Sequence, residues 1–342
     1  MATPTVGPDQ APERRSAGTL PTKRRQLDWP KDRDFRILSL DGGGIKGIFT
    51  LAALAALERN ALGGASIARC FDLIAGTSTG GIIALGLSAG RTASEILDIY
   101  LKQGRSVFPR PRQFGVLRPA FSATALAALL KEVLGDRLLK DAENRLCVPS
   151  CEKRFGDVNV FKTPHHPDFK MDWKLPMREI ALATSAAPTF LPVHRFGGYL
   201  YVDGGVWANN PAMVAVVDAL TCFDLQPRQL RMLSIGTGAG PIRASNRHVN
   251  WGGIVSWMFK GHLIESLMNY ASLNADGQAG LMMGRDHLVR IAPQGRAAEV
   301  QMTDYRAAHD LLVDAGEAAA LALVQEVQAD FLYPAARPHF YY

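Results

Sequence analysis

A serine flanked by glycines is the clearest chemical feature of the sequence. Residues 76–80 read Gly-Thr-Ser-Thr-Gly and stand between an apolar run that predicts a strand and another that predicts a helix. A nucleophilic serine requires such a sharp strand-to-helix turn, because the turn exposes the hydroxyl group and small neighbours relieve crowding there. The N-terminal end of the following helix directs a positive partial charge at the same place. The pattern and its setting predict that Ser78 is a nucleophile, with Gly76 and Gly80 supporting the turn.

A glycine-rich stretch upstream offers a second chemical device. Residues 36–47 read RILSLDGGGIKG, in which a strand-like run leads through three glycines into a helix. Gly42, Gly44 and Gly47 fit the G-x-G-x-x-G pattern, whose backbone N–H groups bind the pyrophosphate of a dinucleotide. The same groups can instead stabilise a charge that forms during a reaction. A dinucleotide site needs an acid at the end of the second strand, and here that strand ends in Gly-Thr-Ser, which favours the second use.

An aspartate follows a third apolar run. Tyr199–Val202 predicts a strand, and Asp203, Gly204 and Gly205 come directly after it. An Asp-Gly pair is common in turns, so this segment taken alone indicates only a turn that holds an acid.

The elements that must position these residues alternate along the chain. Apolar runs predict the strands Phe35–Leu40, Phe71–Ala75, Val158–Lys162, Tyr199–Val202, Arg231–Ile235 and His287–Ile291. Helical periodicity predicts Ile45–Asn60, Gly81–Ala89, Ser94–Arg105, Ser122–Leu134, Pro176–Ala186, Pro211–Cys222, Ile254–Ala275 and Asp304–Phe331. Such alternation is typical of a mostly parallel sheet with helices on both faces. Two segments rich in proline, Phe108–Pro119 and Thr163–Leu175, are expected to be surface loops that border a site.

Composition narrows the class of protein. The chain has 342 residues, of which 47% are apolar and 20% charged, and its formal net charge is +6. No apolar run is long enough for a membrane span, and no secretory signal precedes the first strand. Residues 1–34 lack apolar periodicity and are expected to be a disordered basic arm. The four cysteines, including the C-x-x-x-C pair Cys147 and Cys151, are interpreted as reduced thiols and not as a metal site. A dense basic stripe is missing, which argues against binding a DNA or RNA duplex.

Taken together, the motifs resemble the patatin-like phospholipase family. The matching segments are DGGGIKG at Asp41–Gly47, GTSTG at Gly76–Gly80, the stretch Ala183–Pro192 and DGG at Asp203–Gly205. The resemblance implies a three-layer α/β/α sandwich and a Ser–Asp dyad in which Ser78 is the nucleophile and Asp203 its base. It also implies an oxyanion hole made of the N–H groups of Gly42, Gly43 and Gly44, with neither metal nor cofactor. Lys46 either supports that loop electrostatically or is a solvated residue, and Gly204 supports the turn after the acid.

A carboxylate base raises a question of acidity and leaves a rival open. An ordinary aspartate has a pKa of about 3.9, so we expect burial beside Ser78 to raise the pKa of Asp203 toward the working pH. A Ser-His-Asp hydrolase would place its histidine after the acid, which makes His248, His262 or His287 alternatives, and His194 is the histidine nearest to Asp203 in sequence. A Gly43→Ala variant is expected to keep the fold and to lose turnover.

Substrate and regulation rest on the resemblance. Within the family the sequence is most similar to cyclic-nucleotide-activated phospholipases of bacterial anti-phage systems. This implies hydrolysis of membrane phospholipids at the inner face of the membrane by a cytoplasmic protein, a cyclic di- or trinucleotide activator, and a homo-oligomer. Residues 35–335 are expected to form one hydrolase domain, followed by a tail at 336–342. The C-terminal part of the domain is a candidate for regulation or oligomerisation. Neutral acylglycerols or thioesters are alternative substrates, and a binding module with a vestigial serine site is an alternative of another class. The apolar stretch Trp251–Phe259 either lines an acyl channel or belongs to a core helix.

Overall fold

One mixed sheet organises the protein. The computed structural model describes residue 14 and residues 24–109, 121–238 and 263–342, with side chains from residue 266 onward in the last range. Its strands are β1 (Phe35–Leu40), β2 (Leu73–Gly76), β3 (Arg145–Glu152), β4 (Asp157–Lys162), β5 (His194–Phe196), β6 (Tyr199–Asp203), β7 (Leu230–Ile235) and β8 (Leu288–Ile291). In the described ranges they lie in the order β5-β6-β3-β2-β1-β7-β8, and β4 pairs with β3.

The centre of the sheet is parallel and one side is antiparallel. β1 pairs in parallel with β2 and β7, β2 with β3, and β7 with β8. β4 and β6 run antiparallel to β3, and β5 runs antiparallel to β6. Parallel neighbours need crossover connections, and these are the predicted helices.

Helices cover both faces of the sheet. They are α1 (Gly47–Ala61), α2 (Thr79–Ser88), α3 (Ala93–Val107), α4 (Ala123–Leu134), α5 (Met177–Thr184), α6 (Gly205–Ala208), α7 (Ala212–Cys222), α8 (Leu263–Met283), α9 (Gly295–Ala298), α10 (Tyr305–Ala322) and α11 (Val324–Phe331). β1 shows why both faces need cover: Ile37 lies in the core that includes α7 and α8, whereas the next residue, Leu38, lies in the core that includes α1, α2 and α3. The expected three-layer sandwich with a mostly parallel sheet is confirmed.

Two strands were not expected from the sequence. All six described residues of Phe35–Leu40 are buried in β1, as the apolar run predicts. β3 carries Pro149 within RLCVPSCE, and a proline inside a run argues against a strand because it cannot donate to the ladder. β5 has only three residues. The helix expected over Asp304–Phe331 is divided at Leu323, and the part of Ile254–Ala275 before residue 263 lies outside the described residues.

Only the second part of Thr163–Leu175 is the surface loop that its prolines suggested, because residues 163–166 are buried whereas Pro167, Asp168 and Lys170 are exposed. His165 and His166 are buried, with 1% and 2% of their surface exposed. The Nε2 atom of His165 lies 2.8 Å from Oδ2 of Asp218 on α7. Polar side chains that find such partners can be buried without loss, and a composition rich in proline does not reveal those partners. Residues 110–119 of the other expected loop lie outside the described ranges.

Both chain ends pack on the body where they are described. Trp29 is 6% exposed and packs edge-on against Phe35 and Phe223, so the expectation of a disordered arm is wrong for residues 24–34, and residues 1–13 and 15–23 lie outside the described part. At the other end, the Ala336 N–H donates to Oδ1 of Asp72 at 3.0 Å. The Tyr341 N–H donates to the carbonyl oxygen of Pro164 at 2.7 Å. Residues 336–342 are therefore docked on the domain.

Candidate active site

Strand register brings Ser78 and Asp203 together. Ala75 on β2 pairs with Cys147 on β3, so Ser150, three residues further along β3, lies level with Ser78, which follows β2. β6 runs antiparallel to β3 and pairs Asp203 with Ser150. Because β3 extends beyond the carboxyl end of β2, the returning strand delivers its last residue at the height of the serine. The Ser78 hydroxyl donates to Oδ2 of Asp203 at 2.7 Å.

The backbone at Ser78 is strained in the way a nucleophile turn requires. Its φ is 53° and its ψ is −122°, a conformation that a non-glycine residue rarely adopts and that costs about 1–3 kcal/mol. The Ser78 N–H donates to Oγ1 of Thr184 at 3.0 Å, and that hydroxyl donates in turn to the carbonyl oxygen of Pro149 at 2.6 Å. Thr184 therefore clamps the turn to β3.

The glycines expected to support the turns lie where backbone segments meet closely. A β-carbon would lie 2.2 Å from the Gly80 carbonyl oxygen if added to Gly76, 2.2 Å from the Leu40 carbonyl oxygen if added to Gly80, and 2.3 Å from the Pro149 carbonyl oxygen if added to Gly204. Real β-carbons do not approach oxygen atoms so closely, so a side chain at these positions would push the elements of the site apart.

The environment of Asp203 suits a base. Burial raises the pKa of Asp203 to about 6, although hydrogen bonds from the Gly205 N–H and the Ser78 hydroxyl oppose the rise. The Gly205 N–H donates to Oδ1 at 2.6 Å, which leaves Oδ2 facing the serine. A base whose pKa is near 6 accepts a proton more readily than ordinary aspartate and is still ionised at neutral pH.

The three glycines expected to form an oxyanion hole are not equivalent. Gly43 and Gly44 line the cavity that contains Ser78, and their amide groups donate to no acceptor among the described residues. The Gly42 N–H instead donates to the carbonyl oxygen of Asn209 at 2.9 Å. The assignment of Gly42 to the hole is therefore wrong in this structure, because its donor is already used to hold the loop.

The structure revises two further expectations about this loop, for the Gly43→Ala variant and for Lys46. A β-carbon on Gly43 would lie 2.4 Å from Oγ1 of Thr237, so a Gly43→Ala variant would disturb packing and cannot be expected to keep the fold intact. Lys46 is half-buried and its Nζ donates to the carbonyl oxygen of Gly238 at 2.7 Å. The side chain thus ties the loop to the segment after β7 and is not simply solvated.

A buried ion pair anchors the same loop, and no pattern in the sequence predicts it. Asp41, directly before the glycines, is 3% exposed, and both of its oxygens accept from the guanidinium of Arg290 on β8. The Arg290 guanidinium also donates to Ser234 on β7. On the other side of the loop, the Thr237 hydroxyl donates to the carbonyl oxygen of Gly42 at 2.5 Å. These contacts hold the loop whose Gly43 and Gly44 amide groups lie at the cavity.

An apolar cavity opens beside Ser78. The empty space in and in front of it amounts to about 900 Å³, open solvent at the mouth included. Only Ser78, Asp203 and a few hydroxyl and backbone groups interrupt its apolar wall. Apolar side chains of the wall come from α2, α3, α4, α6, α8 and the segments before α4 and after α5. They include Val107, Phe121, Leu129, Phe190, Val206 and Met268. For Trp251–Phe259 the sequence left an acyl-channel lining and a core helix as alternatives, and that stretch lies outside the described residues. The sequence did not indicate the present cavity.

The described histidines have other partners. Nε2 of His194 lies 2.9 Å from Oε2 of Glu179, and His287 pairs with Asp286 at 3.6 Å. No histidine in the described ranges lines the cavity, and His248 and His262 lie outside those ranges. The Ser78–Asp203 pair is therefore the acid–base arrangement that the described residues offer.

One described cluster has the donor types of a metal site. Atoms of His165, Asp218 and Cys222 lie within 4.8 Å of one another. The Nζ atom of Lys162 donates to Oδ1 of Asp218 at 2.6 Å, so an ammonium group already occupies the place where a cation would bind. Burial works against ionisation here, but Lys162 and His165 hold the pKa of Asp218 well below its usual range. We interpret this cluster as a buried ion network.

The clamp at Thr184 gives a direct prediction. A Thr184→Val variant keeps the shape but removes both hydrogen bonds, so the Ser78 turn should shift and kcat should fall by about tenfold or more, with a smaller change in KM. Thr184→Ser restores the hydroxyl group and should recover most of kcat. Steady-state kinetics on a soluble ester measures both values. Equal kcat in the Val and Ser variants would contradict a positioning role.

The structure is an α/β sandwich in which a strained serine is hydrogen-bonded to a buried aspartate. The comparison with known proteins identifies the family. The chain belongs to the patatin-like phospholipase family, because the family model of that description matches residues 38–216, slightly more than half of the chain. The match includes the segments with Gly43, Ser78 and Asp203.

Individual relatives extend this result. A protein named cGAMP-activated phospholipase from Vibrio cholerae is 37% identical over 227 residues, and the match covers 59% of this chain and 64% of that protein. One of the same name from Escherichia coli is 34% identical, covering 59% and 62%. Patatin-like protein 2 from Oryza sativa is 31% identical over 290 residues, covering 70% of each. The chain therefore spans less than two thirds of the length of these two bacterial relatives.

A solved structure of another protein resembles this fold, and the described helices were also tested for length and apolar character. The crystal structure of VipD from Legionella pneumophila aligns with a TM-score of 0.46 at 12% identity, covering 89% of this chain and 71% of that one. Among the described helices of the present protein, none combines the length and apolar character that a membrane span requires.

Proposed function

We propose that the protein is a serine acyl hydrolase that releases fatty acids from membrane glycerophospholipids. The observation that supports this most is the 2.7 Å hydrogen bond from the Ser78 hydroxyl to Asp203 at the wall of an apolar cavity. The bond supplies the nucleophile with a base, and the cavity offers room for an acyl chain but few partners for a polar substrate.

The reaction would proceed through an acyl-enzyme. Asp203 takes the hydroxyl proton while Oγ of Ser78 attacks the ester carbonyl carbon, and the N–H groups of Gly43 and Gly44 stabilise the oxyanion. The tetrahedral intermediate expels the alcohol portion of the lipid, which leaves with the proton from Asp203. A water molecule then gives a proton to Asp203 and attacks the acyl-enzyme, and the fatty acid departs as Ser78 regains its proton.

Control by a nucleotide is the second part of the proposal. The bacterial relatives named above are cGAMP-activated phospholipases, and we extend to this chain activation by a cyclic di- or trinucleotide. The protein would act from the cytoplasm at the inner face of the membrane, as a homo-oligomer.

A lipid assay with a nucleotide panel tests both parts. Purified protein is incubated with phosphatidylethanolamine–phosphatidylglycerol vesicles, with and without cGAMP and other cyclic di- and trinucleotides, and free fatty acid is measured. We expect release that rises with one of the nucleotides and is absent in Ser78→Ala. Equal release by the wild-type protein with and without nucleotide would contradict nucleotide control but not hydrolysis. Parallel tubes contain triacylglycerol or an acyl thioester, and release from these but not from the vesicles would contradict the proposed substrate.

A fluorophosphonate probe separates an enzyme from a binding module. The probe forms a bond only with an activated serine, so wild-type protein should be labelled and Ser78→Ala should not. Unlabelled wild-type protein, with or without nucleotide, would favour a vestigial site.

A further inference from the structure

The outer face of α8 is unusually apolar. Five of its side chains, which we name the α8 ridge, are between 47% and 80% exposed: Leu267, Tyr270, Leu273, Leu281 and Met282. Across residues 266–283 the only charged residue is Asp276, and it is half-buried and lies 3.8 Å from Arg290. Between Leu273 and Leu281 the exposed polar residues Asn274 and Gln278 are uncharged. A water-facing helix normally presents charged residues, and several large apolar side chains exposed along one helix mark an interaction site.

The α8 ridge is held in a fixed relation to the cavity. Met268, on the inner side of α8, lines the cavity wall, and Ser272 accepts a hydrogen bond from Nδ2 of Asn209 at 2.9 Å. Asn209 also binds the glycine loop through its carbonyl group. Val206, another wall residue, is 52% exposed, and its helix α6 packs on α8. Exposed apolar side chains therefore lie both on the outside of α8 and beside the place where an acyl chain would enter.

We propose that the α8 ridge is the surface with which the protein docks on a lipid bilayer, an inference that rests on the proposed function. The ridge would enter the boundary between headgroups and acyl chains, as the apolar face of an interfacial helix does. Exposed Arg285 and Asp286 follow the helix and would remain in the headgroup layer. A second copy of the chain seated on the ridge would stand beside Val206 and Met268 and obstruct the mouth, whereas a bilayer at this position presents its acyl esters to Ser78.

Vesicle co-sedimentation tests the docking independently of catalysis. In a Ser78→Ala background, the double variant Leu273→Gln/Leu281→Gln should bind phosphatidylethanolamine–phosphatidylglycerol vesicles about tenfold more weakly, because each glutamine removes apolar surface from the lipid contact without adding charge. The matched control is Leu311→Gln/Leu321→Gln on α10, where both leucines are likewise exposed and the helix packs on the opposite layer. The control should bind as the parent does.

Activity and mass measurements decide between the remaining outcomes. With Ser78 present, the ridge variant should hydrolyse a soluble short-chain ester at the wild-type rate and vesicle phospholipid at least about tenfold more slowly. Equal vesicle binding by ridge and control variants would overturn the proposal. A changed oligomer mass in sedimentation velocity, with vesicle binding retained, would overturn it in favour of a self-association surface. Failure of wild-type protein to hydrolyse any ester would contradict the proposed function, while the binding comparison would still test the ridge.

Discussion

An Asp203→Asn variant should lose ester hydrolysis by about a thousandfold or more and at the same time unfold less readily at alkaline pH. The loss follows because an amide cannot accept the Ser78 proton, and general-base catalysis typically contributes about 10²–10⁴ in rate. The gain in stability follows because wild-type Asp203 is ionised in a buried site above pH 6, whereas asparagine is neutral. A carboxylate whose folded pKa is about 6 instead of 3.8 carries a cost of about 3 kcal/mol when ionised.

The sign of the pH dependence makes this prediction specific. Because burial raises the folded pKa of Asp203, its contribution to stability is fully present below the unfolded pKa and is lost as the pH rises through about 6. Below pH 4 the variant and the wild type should therefore have similar free energies of unfolding, and by pH 8 the variant should be more stable by about 3 kcal/mol. Chemical denaturation at several pH values measures the difference.

A matched variant separates the two effects. Ser78→Ala should be as inactive as Asp203→Asn, yet it retains the buried carboxyl group and should still lose stability between pH 4 and 8. In the wild type, kcat/KM for a soluble ester should fall on the acidic side with a midpoint near pH 6, where Asp203 becomes protonated. A midpoint near pH 4, or an Asn variant that gains no stability at pH 8, would show that Asp203 is not the buried base.

The residues that react could be predicted from the sequence because their function depends on local backbone geometry. A serine nucleophile needs glycines within two positions on either side, so Ser78 appears as a short pattern at the end of a strand. The Asp-Gly pair at Asp203 indicates only a turn when taken alone. The role of Asp203 as a base could be predicted only from its combination with the Ser78 motif earlier in the chain. The two residues come close in space because β6 returns antiparallel to β3. β3 was not predicted, because Pro149 lies within it.

The residues that hold the site in place could not be found in the same way. Thr184 and Thr237 act through single hydrogen bonds to distant backbone groups, and such bonds impose no spacing on nearby residues. Thr184 lies within the stretch that resembles the family, but the resemblance does not imply a role for this residue. The letters DGGG likewise do not tell which of three N–H groups is free, because that depends on the Asn209 carbonyl group, which is far away in the chain.

Arg290→Met should destabilise the protein by about 3 kcal/mol or more and lower its activity as well. Asp41 would keep a buried carboxylate without its bidentate partner, and breaking a buried pair in this way typically costs about 3–5 kcal/mol. Burial already raises the pKa of Asp41, and Arg290 opposes that rise. Without Arg290 the folded pKa rises further, so the stability contribution of Asp41 is lost as the pH increases and the deficit should be larger at pH 8 than at pH 5.

Two comparisons identify the cause of that loss. The double variant Asp41→Asn/Arg290→Met removes both charges and should recover much of the stability, because no unpaired carboxylate remains. Arg59→Met removes an arginine that pairs with Glu317 on the surface, where the two side chains are 47% and 38% exposed, and should cost at most about 1 kcal/mol. If Arg290→Met were no worse than Arg59→Met, Asp41 would not depend on its partner. If the double variant recovered stability but not turnover, the ion pair would be needed chiefly to aim the Gly43 and Gly44 amide groups.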